Sequence, residues 1–432
     1  MTRVLFVAYY YPPIGGAGAQ RPARFAAHLP EHGCEPSILT GRGTASGRWT
    51  PQDKSLEAEM PLELAVHRIA TAEPSVHGQR ARLERWLGID SPWTRWWIQG
   101  GVEAGREPAA AADAIYVFMS PWASADLAMR LAAVTGTPWI ADLGDPWALD
   151  EMAIYPTALH RRADLRRMGR ALESATAVVV TTREAAVRIR ETFPELGAKP
   201  IVTIPMGYDA ADFVGPEPAR SDDAFRIVHT GYLHTEHAQR QRRAAALRRL
   251  VGGQNGSVDM LTRSHVYLLE AIDRLDSDLR SRVELHLAGV LSDLDRESAT
   301  ANMRLHGYLP HAESVALIRS ADLLFLPMQN LPVGTRSTMI PGKTYEYLAS
   351  GRRILGAVPQ GDALDMLTAV GRARTCRPDD APEMARILAE EISRPRTPAV
   401  APGERVERFE YRNLAGQVAE VIDAAVRASP RP

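Results

Sequence analysis

The sequence predicts an α/β protein built from two Rossmann-like halves, and three observations carry the prediction. Short apolar runs of strand length alternate with helix-like segments in two successive series. The alternation is interrupted at residues 215–223, Gly-Pro-Glu-Pro-Ala-Arg-Ser-Asp-Asp, a linker by composition. At 432 residues the chain is also too long for one ordinary core, so two domains of about 200 residues each are expected. The expected division is 1–215, 216–405 and a closing helical segment 406–432 that returns to the first half.

Composition narrows the function classes. Apolar residues make up 45% and charged residues 24%, as in a water-soluble globular protein. With 51 basic against 52 acidic side chains, the balance gives no reason to expect nucleic acid. Cys34 and Cys376 lie far apart and fit no metal-ligand spacing, which points to a reducing compartment and two small core residues. The first strand starts at Arg3, leaving no room for a signal peptide, and no apolar run reaches ~18 residues. A cytoplasmic location is the expectation.

In the first half, the strand at 3–8 runs into Tyr9-Tyr-Tyr-Pro-Pro13 and then Ile14-Gly-Gly-Ala-Gly before a helix to about His32. Glycine at such a turn lets a ligand approach the backbone closely, which marks Gly15 and Gly16. Arg21 stands where a dinucleotide fingerprint needs its third glycine, so a plain dehydrogenase reading loses ground. A strand at 35–40 and a polar loop at 41–61 follow. Residues 82–97 hold Trp86, Trp93, Trp96 and Trp97, which fit either a core cluster or an acceptor-facing or membrane-interface patch. Strands at 114–119 and 138–143 each feed a polar turn at the end where open parallel sheets bind ligands. That marks Ser120, Pro121 and Trp122, then Asp142, Asp145 and Trp147; Asp145 could equally cap a turn before proline. The arginines of 160–170 suit a solvated helix face or anionic lipid headgroups. Strands at 177–181 and 200–205 close this half.

The second half opens with a strand at 225–230 and the turn Gly231-Tyr-Leu-His234. Residues 234–264 look like a surface insertion carrying Arg240, Arg242, Arg243, Arg248 and Arg249, a solvated helix or a contact for an anionic partner. A helix at 266–275, strand at 283–289, helix at 312–320 and strand at 322–327 lead to the loop 330–342, rich in Gly, Pro and Thr. The next helix begins at Lys343. Its amino terminus would favour a phosphate, Lys343 adds a full charge, and Glu346, on the same helical face, could accept from two sugar hydroxyls. The plain alternative is an exposed Lys343–Glu346 ion pair. A strand at 354–358, a turn at Gly361-Asp362, a helix and a last helix at 414–427 complete the chain.

These residues together resemble retaining, GT-B fold glycosyltransferases of the large family 4 group, and the resemblance runs through nearly the whole chain. Tyr10-Tyr-Pro-Pro13 with Gly15, Gly16 and Arg21 is similar to the family's amino-terminal turn. Pro138-Trp-Ile-Ala-Asp-Leu-Gly-Asp-Pro-Trp147 looks like the "P-W-I-A-D-x-R-D-P-W" segment of one branch, with Gly144 where that branch often has arginine. Gly207 and Asp209 resemble the Asn-Gly-x-Asp signature. Pro341-Gly-Lys-Thr-Tyr-Glu-Tyr-Leu-Ala-Ser-Gly351 is similar to the donor-binding "P-x-K-x-x-E-Y-L-A-x-G" segment. Eight positions before Glu346 stands Thr338 in place of a common glutamate, and Gly231-Tyr232-Leu233 lacks the usual Gly-Arg-Leu and following lysine.

The resemblance implies a GT-B fold, two Rossmann-like domains facing each other across an interdomain cleft, the first for acceptor and the second for donor. It implies transfer of a sugar from a nucleotide diphosphate, UDP favoured over GDP, with retention at the anomeric carbon. The acceptor would be a glycan, a lipid-linked glycan or a small molecule. Lys343, Asp145 and Gly16 are the expected catalytic residues, with Asp145 positioning sugar or acceptor. Gly15, Gly16, Gly231, Tyr232, Gly334, Thr335, Arg336, Ile340, Pro341, Gly342, Lys343 and Glu346 are the expected donor site. Ser120, Pro121, Trp122, Asp142 and Trp147 are the acceptor or sugar candidates. No metal or other cofactor is expected. Peripheral contact with the inner face of a membrane and the oligomeric state stay open. The alternatives are a GT-B sugar-nucleotide epimerase and a catalytically inactive GT-B binding module.

Overall fold

In the computed structural model, residues 1–44, 51–75, 84, 88–218, 220, 222–250 and 258–429 are described. Thirteen strands follow one another among the described residues: β1 Thr2–Val7, β2 Cys34–Thr40, β3 Val66–Arg68, β4 Ala114–Phe118, β5 Trp139–Leu143, β6 Ala177–Val180, β7 Ile201–Thr203, β8 Phe225–Thr230, β9 Val283–Ala288, β10 Met303–Gly307, β11 Leu323–Pro327, β12 Arg353–Ala357 and β13 Ala373–Cys376. They form two all-parallel sheets, ordered β3-β2-β1-β4-β5-β6-β7 and β10-β9-β8-β11-β12-β13. The chain divides accordingly into one unit of Met1–Gly207 with Tyr411–Pro432 and another of Tyr208–Glu410.

Parallel sheets bury both faces, and their strands therefore read as continuous apolar runs. Along β1, Leu5 and Val7 enter one core with Leu39, Val117 and Trp97. Val4 and Phe6 enter the other, with Phe25 of the helix Ala17–His28 and Leu414, Val418 and Ile422 of the helix Tyr411–Ala428. The terminal helix is thus a structural part of the first unit. In the second unit Ile227, Leu285, Phe325 and Leu355 build one core under the helices Val266–Asp273 and Ala381–Ser393.

Several expectations change. The stretch after Gly215 is bound to the second unit: Arg319 donates to the carbonyls of Val214, Gly215 and Pro216, and Arg352 pairs with Glu217 at 2.8 Å. Arginines of the second unit hold its carbonyls and the Glu217 carboxylate; its residues Ala219 and Ser221 lie outside the described residues. Trp96 and Trp97 are core residues, and Trp93 is half-buried with its indole N–H on Glu73 Oε1 at 2.6 Å. Trp86 lies outside the described residues. On the helix Ala158–Ser174, Met168 and Leu172 are buried while Arg162, Arg166 and Arg170 face solvent at four-residue spacing, the solvated-face alternative. The arginine-rich insertion forms a helix, Thr235–Leu250, on which Arg240 pairs with Glu236. Its Gly252–Gly256 stretch lies outside the described residues. Among the described residues no helix is long and apolar enough to cross a membrane.

Candidate active site

Strand order reverses between β1 and β4 in one sheet and between β8 and β11 in the other. Ligands of open α/β sheets bind beyond the strand carboxyl ends at such points. The loops that leave these four strands carry Gly15 and Gly16, Ser120 to Trp122, Gly231 and Tyr232, and Gly334 to Lys343. Topology thus gathers most of the expected residues at the two switch points.

In the second unit the motif helix Lys343–Ala349 is clipped to β8, because the Thr230 N–H donates to the Tyr347 hydroxyl at 2.9 Å. Lys343, one turn earlier on the same face, then reaches the turn at Gly231. A Cβ on Gly231 would lie 2.8 Å from Lys343 Nζ, and its φ of +99° is one that glycine alone adopts readily. Behind it Gly289, φ +137°, leaves no room either: a Cβ there would meet the Gly231 carbonyl oxygen at 2.3 Å. Lys343 Nζ lies 3.1 Å from His229 Nε2, whose other ring nitrogen is 3.0 Å from the Phe325 carbonyl oxygen. Burial, and then the nearby Arg263 charge, push the Lys343 ammonium down to about 7. Burial, and then Lys343, hold His229 well below the usual histidine range. The alternative of an exposed Lys343–Glu346 surface pair does not survive, since both residues are half-buried and Lys343 Nζ is turned to His229. Glu346 faces His311 Nδ1 at 4.0 Å, while His311 Nε2 is 2.8 Å from Asp212.

Sequence reasoning missed Arg263. The segment that carries it pairs with the exit of β11, Asp259 and Asn330 exchanging backbone bonds at 3.0 Å, and Thr262 Oγ1 donates to the Met328 carbonyl at 2.9 Å. Arg263 is thereby returned to the end of β8, where its carbonyl accepts from the His234 N–H at 3.1 Å. Arg336 pairs with Asp365 at 2.6 Å and approaches Asp362 at 3.7 Å. Gly334, φ +86°, turns an exposed loop, with Thr335, Ile340 and Gly342 half-exposed and Pro341 buried beside it.

In the first unit Gly16, φ +86°, opens the helix Ala17–His28, but the Gly15 N–H is already bonded to the Pro51 carbonyl at 2.7 Å. Asp142 must be reassigned. It is buried, accepting from Arg21 Nε at 2.9 Å and from the Tyr116 hydroxyl at 2.7 Å, so its side chain pins the helix to the sheet instead of facing an acceptor. Arg21 also donates to the carbonyls of Pro205 and Ile204. Trp147 too is buried, its indole N–H on Asp164 at 3.1 Å and its ring stacked on Trp122 at 5.3 Å. Trp122 is half-buried, and Ser120, Pro121 and Asp145 are half-exposed as well. Trp147 takes φ +49°, strain of about 1–3 kcal/mol that its stacked and bonded side chain holds in place. Among the described residues no group of three or more His, Cys, Asp or Glu is arranged to hold a metal ion.

A family model described as "Glycosyl transferase 4-like domain" matches residues 15–207. No curated protein matches the chain by sequence. Among solved structures, Anabaena HepE in complex with UDP and glucose is similar over 98% of this chain and 100% of its own, at 14% identity and a TM-score of 0.61. Sucrose-phosphate synthase from Thermosynechococcus elongatus is similar over 99% and 100%, at 14% identity and a TM-score of 0.62. UDP-GlcNAc 2-epimerase from Neisseria meningitidis, bound to UDP-GlcNAc, is similar over 99% and 100%, at 12% identity and a TM-score of 0.52. The chain therefore has the two-unit GT-B fold that these structures share, and its residues 15–207 match a glycosyl transferase 4-like domain.

Proposed function

We propose that the protein transfers a sugar from a nucleotide diphosphate donor, UDP-linked in preference to GDP-linked, to a glycan, lipid-linked or small-molecule acceptor, with retention at the anomeric carbon. The observation that carries the reading is Lys343 seated against the glycine turn that ends β8, with the Arg263 charge near enough to act on its amine. Two cations beside a backbone with no Cβ suit a diphosphate, and stabilising the charge that grows on this leaving group is the largest catalytic effect such a site can supply. Glu346 would accept from the ribose hydroxyls. The acceptor would attack from the face the diphosphate leaves, whose oxygen takes the acceptor proton, so no enzymic nucleophile enters. Asp145 and Trp122 would orient the sugar and acceptor. Lys343 and Arg263 would supply the countercharge in place of a metal, so turnover in EDTA should match turnover in Mg²⁺.

Thermal shift with UDP, GDP and their sugar conjugates tests the donor, because a ligand bound by the folded state raises the melting temperature by mass action. Glu346→Gln removes charge-assisted bonds of roughly 1.5–3 kcal/mol and should weaken UDP binding about 10- to 100-fold. Unchanged UDP affinity in that variant would remove Glu346 from the site. Release of free sugar from the donor without acceptor dependence would favour the epimerase alternative.

A further inference from the structure

The amino-terminal end of the second sheet carries a cluster that the reading above leaves unused. Strands β12 and β13 are each entered through a left-handed glycine and an arginine, Gly351-Arg-Arg-Ile354 and Gly371-Arg-Ala-Arg374, with φ +67° at Gly351 and +76° at Gly371. The parallel register sets Ile354 beside Ala373, and the Ile354 N–H donates to the Arg372 carbonyl at 3.3 Å, so four guanidinia leave two adjacent strand starts. Like charges on neighbouring strands are unfavourable unless counter-charges lie among them. The helix Ala381–Ser393 supplies Glu391, 1% exposed, which accepts from Arg353 and from Arg394, each at 2.6 Å. Arg374 pairs with Glu390 at 2.9 Å and Arg352 with Glu217 at 2.8 Å. Arg372 has no carboxylate among the described residues; its guanidinium donates to the carbonyls of Val400 and Ala401 at 2.8 and 3.1 Å. These five arginines line a cavity of about 290 Å³ whose lining holds two carboxylates, Glu391 and Asp322. Asp322 is already shared by Arg220 at 2.8 Å and Arg396 at 3.1 Å, so both carboxylates are spent and positive charge is left over. One buried donor is left over too, Arg352 Nε, which has no hydrogen-bond partner. The five residues of β11 set this end of the sheet about 16 Å from the loops that carry the candidate donor site.

We propose that this cavity is an anion site in its own right and takes a small phosphate-bearing ligand on Arg372 and Arg394. Arg372 meets only carbonyls and Arg394 shares Glu391 with Arg353, so both have charge and N–H groups to offer. Guanidinium forks match phosphate oxygens and stay protonated throughout the physiological pH range. The bound anion offsets the repulsion among arginines that Glu391 alone leaves in place. A volume of about 290 Å³ lies at the small end of ligand pockets, which span roughly 300–1,000 Å³, and suits pyrophosphate or a phosphomonoester in preference to a whole nucleotide sugar. The inference shares no residue with the donor-site reading and stands or falls apart from it.

The test titrates full-length protein, wild type and Lys343→Met, with inorganic pyrophosphate and with glycerol 1-phosphate in a calorimeter. Lys343→Met removes the cation of the β8 turn, so binding that survives in it belongs elsewhere, and at least one of the two probes is expected to show such binding. Tighter binding of pyrophosphate identifies a free inorganic anion as the ligand, and tighter binding of glycerol 1-phosphate a phosphomonoester; either supports the site. Arg372→Gln and Arg394→Gln, each added to Lys343→Met, should weaken this binding about 10- to 100-fold, the usual effect of losing hydrogen bonds to a charged group. Hydrogen exchange on the wild type locates the ligand without any substitution, and so decides the matter even where a glutamine variant fails to fold. The tighter-binding probe at saturation should slow exchange in peptides covering 350–354, 371–374 and 397–401, and sodium chloride at equal ionic strength should not. Loss of all binding in Lys343→Met, full retention of it in both glutamine variants, or protection confined to 230–234 and 330–346 would overturn the proposal.

Discussion

Lys343 is half-buried with an imidazole and a guanidinium for neighbours, so an ammonium there is short of solvation. Its value near 7 lies below the ~10.4 of an unfolded lysine, and the unfolded chain therefore binds the additional proton between about pH 7 and 10. Stability of the ligand-free protein should rise with pH across that window. Lys343→Met should flatten the rise and stabilise the protein by roughly 1–2 kcal/mol at pH 7, while lowering kcat about 10²–10³-fold. Urea melts from pH 6.5 to 9.5 and steady-state kinetics check both halves; a variant of wild-type activity would remove Lys343 from the site. Arg21 and Asp142 present the opposite case, an internal pair. Arg21→Met leaves a buried carboxylate without its cation and should cost about 3–5 kcal/mol in a urea melt. His229 left a signal in the sequence, a polar residue two places before the glycine turn of a buried strand. Asp142 misled because all of β5 is buried, so its place near a strand end did not say whether the side chain faced a ligand or a helix.

Among the elements, the central strands and the glycine loops were legible because both sheet faces are covered and most central strands, such as β4, β6 and β11, are apolar runs. The edge strands β3, β10 and β13 escaped notice. Their residues are half-buried or exposed for the most part, and Val-His-Arg or Met-Arg-Leu-His-Gly carries no continuous apolar signal. Arg263 was out of reach for another reason: the helix Thr235–Leu250 intervenes between it and β8, and only the pairing with β11's exit brings it back. The loops also differ in what they tolerate. Gly289→Ala would drive a Cβ into the Gly231 backbone and should destabilise the second unit by about 2–3 kcal/mol, abolishing the response to UDP. Gly334→Ala meets nothing within 4 Å and should cost only about 1 kcal/mol of left-handed strain. Melting curves of the two variants with and without UDP check the contrast.

For the molecule as a whole, the reading of two Rossmann-like units rested on strand count and strand order, which long apolar runs report well. The division at Gly207 was less visible, since the residues after it are joined to the second unit by arginine side chains distant in sequence. The apolar stripe of the helix Tyr411–Ala428 was readable, and Leu414, Val418 and Ile422 are fully covered in the first unit. Each is worth about 1.5–3 kcal/mol when buried. Removing residues 411–428 should therefore lower the melting of the first unit in a calorimetric scan and leave the transition of the second unit in place. The same arrangement has a consequence during synthesis. The first unit leaves the ribosome first but lacks the helix that covers one side of its sheet until the whole second unit has followed. At usual elongation rates that wait is about 10–40 s. The nascent chain thus exposes an apolar groove for that time, while the contiguous second unit, started later, is complete sooner.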